Sequence, residues 1–113
     1  MPVYLCKFKY EPATWSALVK KPEDRRKNAA QGFEATGGKL LGFWYSFGEF
    51  DGYALFESPD NKAAAASLVR FAESGALRTL ETAVLVPVEE MMEAWDMARE
   101  IPWATPGGEL AEQ

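Results

Sequence analysis

The chain has 113 residues, with 48% hydrophobic and 26% charged residues and a formal net charge of −5; this fits one folded domain with a single core and excludes global disorder. Without a basic excess it offers no nucleic-acid surface. Without a single His it has no imidazole base, no Ser-His-Asp or Cys-His pair, and none of the usual transition-metal ligand sets.

Residues 3–10 (VYLCKFKY) are rich in β-branched and aromatic types, end at Glu11-Pro12, and read as a strand. Val3, Leu5, Lys7 and Lys9 point to one side of it, and Tyr4, Cys6, Phe8 and Tyr10 to the other. From Thr14 the pattern becomes helical and Pro22 divides it. The residue before a proline avoids the α region, which stops a first helix near Lys20. A second is expected to restart with Pro22, Glu23 and Asp24 in its first turn, where a missing N–H costs little and carboxylates favour the helix dipole. Ala29, Ala30 and Phe33 form its inward stripe, and Gly37-Gly38 ends it. Those glycines follow a helix and lack the spacing of a phosphate loop.

Residues 39–47 (KLLGFWYSF) form a second predicted strand, in which Leu41, Phe43, Tyr45 and Phe47 alternate with Leu40, Gly42, Trp44 and Ser46. A turn at 48–52 leads to a third strand, 53–57, making an antiparallel hairpin. Either Ser58 or Asp60 caps the next helix, 61–74, whose stripe is Ala64, Leu68 and Phe71. A fourth strand covers 77–88, with Pro87 near its end. A last amphipathic helix, 89–100, carries Met91, Met92, Trp95 and Ala98 on one face. Residues 1–101 make one domain, and 102–113, broken by Pro102, Pro106 and Gly107-Gly108, are expected to be a flexible tail.

The order β-α-β-β-α-β plus one helix is an α+β, ferredoxin-like arrangement: a four-stranded antiparallel sheet in the order 4-1-3-2, with both main helices on one face. Two helices cover only one face, yet the first and second strands are apolar on both sides. The uncovered side is too large an apolar patch for a monomer. A two-fold pair, sheet against sheet, resolves this and predicts a homodimer of the dimeric α+β barrel type, with higher assembly left open.

At the hairpin the sequence resembles the GYD-domain family of small bacterial proteins, which belong to the dimeric α+β barrel superfamily. The resemblance rests on Lys21-Pro22-Glu23-Asp24-Arg25, Gly37-Gly38-Lys39-Leu40, Gly48-Glu49-Phe50-Asp51, the run from Glu57 to Ala66, and Arg78-Thr79-Leu80. Together these span most of residues 1–90. Phe50 stands where the family's name-giving motif has Tyr, so a hydroxyl there is missing from this chain. The resemblance implies fold and association, and transfers no catalytic residue.

Several residues could carry chemistry, each with a structural alternative. Glu49 and Asp51 are candidate ligand-contacting carboxylates, or turn-forming residues. Lys7, Lys9, Glu57 and Glu81 are charges within strands: a cross-strand Lys–Glu pair at a site, or rim residues that blunt aggregation. Trp44, Tyr45 and Tyr53, with Trp15 and Trp95, could line an aromatic pocket for a planar ligand, or fill core and dimer seam. Met91, Met92 and Trp95 could form an adaptable lid or a partner face. Cys6 reads as a small buried hydrophobe, and as a lone cysteine it forms no disulfide within the chain. No metal and no cofactor is expected. The absence of a leader or a long apolar run points to the cytoplasm, with no membrane partner.

The first expectation is therefore a homodimeric protein binding a small apolar or aromatic ligand, with no catalytic residue assigned. A cofactor-independent monooxygenase acting on a phenolic or quinone-type substrate is a second reading, by analogy of fold. A structural or regulatory association module is a third.

Overall fold

Alternation decides the first strand. In the computed structural model, which describes residues 1–108, β1 (Val3–Tyr10) buries Tyr4, Cys6, Phe8 and Tyr10 and leaves Val3, Leu5, Lys7 and Lys9 half-buried on the other side. The chain continues through α1 (Pro12–Lys20), α2 (Arg26–Glu34), β2 (Lys39–Tyr45), β3 (Gly52–Glu57), α3 (Asn61–Glu73), β4 (Leu77–Leu85) and α4 (Val88–Ala98). This is the ferredoxin-like α+β order, and the antiparallel sheet runs β2-β3-β1-β4, the expected order counted from the other edge.

Two elements depart from expectation. The second helix begins at Arg26 rather than in the turn of Pro22. Lys21 is extended, and the Asp24 carboxylate accepts the backbone N–H of Arg26 (3.0 Å) and its guanidinium (2.8 Å). Asp24 thus closes a side-chain turn ahead of the helix instead of riding inside it. Those bonds from Arg26 lower its carboxyl to about 2. In the second strand the register against β3 shifts between Leu40 and Gly42. The bulge places Leu40 and Phe43 on the same side, where both pack on the core, and leaves Leu41 exposed.

The core lies between the sheet and α2 and α3. Phe56, fully buried, is stacked between Phe33 (ring centroids 4.0 Å) and Tyr4 (5.0 Å), and Ala64 closes over it from α3. Asp60 is the cap of α3, accepting the Ala63 N–H at 2.9 Å. The two glycines after α2 do different work. Gly37 takes φ +87, the left-handed conformation that ends the helix, while Gly38 lets β2 pass so close to β3 that an added Cβ would lie 2.5 Å from the Glu57 carbonyl oxygen.

The opposite side of the sheet has no helix over it. The strand register sets Val3, Leu5, Leu55 and Ala83 at its centre, with Lys7, Tyr53, Glu57 and Glu81 around them. Phe50 folds onto this side, its buried ring lying 6.2 Å from Tyr53 and under the Lys7 ammonium. α4 does not cover it either. The helix packs on none of the other elements to any substantial extent, and the molecule is elongated, 61 × 31 × 22 Å. Val88, Met92 and Trp95, spaced to share one face of α4, are all exposed. Beyond it, Gly108 donates to the Thr105 carbonyl in a turn. The part of the expected tail at 109–113 lies outside the described residues.

Candidate functional site

A cavity of about 560 Å³ opens on the helix-covered side of the sheet, within the size range of small-molecule sites. Its floor comes from Cys6 and Phe8 of β1, Phe43 of β2 and Leu80 of β4, and its walls from α2 and α3. Small residues line the hollow, Ala29 and Gly32 on α2 and Ala54 on β3. Gly32 in particular faces Phe71, whose ring would be 2.4 Å from an added Cβ. At one end, here its mouth, the cavity is lined by Tyr10, Thr14, Arg25, Ala76 and Leu77.

Polar groups gather at that mouth. The Tyr10 and Tyr45 hydroxyls are hydrogen-bonded at 3.1 Å, and Trp15 packs edge-on against Tyr10 at 5.1 Å. Asp51 ties the group together: its carboxylate accepts the Tyr10 backbone N–H (2.9 Å) and the Trp15 indole N–H (3.3 Å). Burial, with the Tyr45 hydroxyl adding to it, raises the Tyr10 phenol well above its ordinary range. Burial also pushes the Cys6 thiol up to about 11, against a smaller lowering by a hydrogen bond with Thr82. Both groups are therefore neutral at physiological pH. Among the described residues the lining includes Arg25 and Arg70 but no carboxylate.

The residues singled out from sequence fall in three places. Asp51 and Tyr45 stand at the mouth, with Asp51 serving as an anchor between the hairpin loop and β1. Trp44, Tyr53, Lys7 and Glu57 lie on the opposite, helix-free side of the sheet; the register sets Trp44 beside Tyr53, and Lys7 between Tyr53 and Glu81. Lys–Glu juxtapositions across strands occur twice, Lys7 opposite Glu81 and Lys39 opposite Glu57, while Glu57 faces Val3 on β1. Glu49 is exposed in the hairpin loop. None of these seven lines the cavity itself. The aromatic wall is instead Phe8, Tyr10, Phe33, Phe43 and Phe71, residues whose alternation or helical spacing marked them only as core. The small residues beside them were the available signal.

Among the described residues, no group of three or more His, Cys, Asp or Glu side chains could hold a metal ion, and no helix is long and apolar enough to cross a membrane.

The GYD-domain family model matches residues 4–95. No curated protein matches the chain. Among solved structures, that of FFRP-DM1 is similar with a TM-score of 0.51 at 9% identity, covering 76% of this chain and 100% of its own, which supports the fold. An uncharacterized NIPSNAP domain protein from Burkholderia xenovorans gives a TM-score of 0.48 at 18% identity, covering 78% of this chain and 95% of its own. PA3566 from Pseudomonas aeruginosa gives 0.46 at 16%, covering 77% and 94%.

Proposed function

Because the chain belongs to the GYD-domain family, we propose that it acts as a homodimeric α+β barrel protein that binds a small, largely apolar molecule in the cavity between sheet and helices. The observation that carries this is the cavity: about 560 Å³, walled by aromatic rings and lined by the small residues Ala29, Gly32 and Ala54. A ligand there replaces water against apolar walls, which favours binding by roughly 25 cal/mol per Å² of apolar surface covered.

Binding is favoured over catalysis by the chemistry of the lining. Cys6 and Tyr10, which line the cavity, are held protonated by burial. The chain has no imidazole, and the lining offers no carboxylate to serve as a base. The monooxygenase-like reading would need Tyr45 or Tyr53 as the acting group, and Tyr53 is on the far side of the sheet.

The second copy belongs on the helix-free side. Its apolar centre of Val3, Leu5, Leu55 and Ala83 is bordered by both signs of charge, Lys7 with Glu57 and Glu81. A two-fold partner can set Glu against Lys in both directions, which makes the surface self-complementary. The exposed stripe of α4 favours association as a function in its own right, as a second reading. The lone thiol suits a reducing compartment, and the cytoplasm is the proposed location.

A thermal-shift screen with small aromatic compounds tests the binding reading. At 100 times Kd a ligand stabilises the fold by about 2.7 kcal/mol. Ala29→Phe, which fills the cavity, is expected to abolish the shift without unfolding the chain. A broad library with no stabilising compound, or shifts that survive the filling variant, would overturn it.

A further inference from the structure

We propose that the cavity selects an amphiphilic organic anion, an aromatic or aliphatic body bearing one carboxylate, with Arg25 and Arg70 receiving the charge. This rests on the cavity being a ligand site and names the class of ligand it takes. The chain carries a net charge of −5, yet the cavity lining holds two guanidiniums and no carboxylate. The acids paired with those guanidiniums, Glu23 and Glu73, stand outside the lining, so the charged groups that face the cavity are the two arginines. A neutral ligand would leave the guanidiniums unused.

The polar groups around the two arginines suit the same ligand. Asn28 and Gln31, on the wall formed by α2, present amide donors. The hydrogen-bonded Tyr10 and Tyr45 hydroxyls add a polar pair beside them. The floor of Phe8, Phe43, Leu80 and Cys6 offers the apolar body a dry surface.

Each arginine already has an acidic neighbour: Arg25 pairs with Glu23 at 2.9 Å, and Arg70 pairs with Glu73. Both pairs are substantially exposed to solvent, and such pairs hold weakly. A guanidinium has five N–H donors, so a carboxylate in the cavity can take some while the surface partner keeps others.

Calorimetric titration of the full chain with 2-naphthoate and with its neutral isostere 2-naphthamide tests the inference. The wild-type protein should prefer the naphthoate by about ten-fold or more, as a charge-assisted contact predicts. In the double variant Arg25→Gln/Arg70→Gln the preference should fall to near one while the amide's affinity holds. Arg25→Lys/Arg70→Lys, which keeps the charge, should recover part of it. Equal binding of the two compounds to wild type would overturn the anion inference and leave the cavity as a site for neutral ligands. A naphthoate preference that survives loss of both arginines would place the anion elsewhere and also overturn it. If neither compound binds, the reading of the cavity as a ligand site fails, and this inference fails with it.

Discussion

At Gly38 the chain has no room for a methyl group. The nearest atoms to an added Cβ are backbone, the carbonyl oxygens of Glu57 at 2.5 Å and Phe33 at 3.1 Å, and backbone cannot turn aside as a side chain can. Gly38→Ala should therefore cost about 3 kcal/mol, at the upper end of ordinary overpacking, read as a fall in the urea midpoint. Cys6 makes a pH prediction. Its folded pKa is raised by burial from 9.0 to about 11, so the fold favours the neutral thiol. The stability this contributes is complete below about pH 9 and is lost as the pH rises through about 11, amounting to about 2–3 kcal/mol. Tyr10 is shifted in the same direction and steepens the loss further into alkali. Urea midpoints between pH 8 and 11 should fall, and should fall less steeply in Cys6→Ala.

Among the elements, those held by local chemistry were legible in the sequence. Alternation in residues 3–10 placed Tyr4, Cys6, Phe8 and Tyr10 on one side, and that side is buried. A cap at Ser58 or Asp60 was expected ahead of the alanine-rich run, and the structure chooses Asp60, whose carboxylate accepts the Ala63 N–H. Asp60→Ala should lower stability by about 1 kcal/mol, and Asp60→Ser should largely restore it, by thermal or urea unfolding. What escaped was decided at longer range. Asp24 has two uses for its carboxylate, a helix's first turn or a side-chain turn before it. Arg26 favours the second by supplying both backbone and guanidinium donors. The bulge at Leu41 needed β3 in place before the shift had meaning. The cavity was the hardest feature to read, because it is made by what is missing. Aromatic residues advertise themselves, but a sequence does not say on which side of a sheet a hollow will form. Trp44 and Tyr53 went to one side and the space to the other.

For the whole molecule the uncovered side of the sheet governs. Leu55 sits in its apolar centre, beside Leu5. Leu55→Glu leaves the opposite, packed core untouched but would bury like charges in the proposed sheet-to-sheet dimer. Light scattering at micromolar protein should show the wild type at twice the chain mass and the variant at the chain mass, with the dissociation constant raised by at least about ten-fold. A wild type that stays at the chain mass would remove the dimer.

The distribution of the four tryptophans has an optical consequence. Trp15 is at the cavity mouth, Trp44 on the uncovered side of the sheet, and Trp95 and Trp103 on and beyond α4, with exposures of 37, 54, 61 and 69%. The buried rings are all Phe and Tyr. Indole emission from an isolated subunit should thus peak close to that of the denatured chain and serve poorly as a gauge of unfolding. It should be a sensitive reporter of encounters instead. A blue shift that grows with protein concentration would register the meeting of two chains, and quenching that grows with an added small molecule would register occupation beside Trp15.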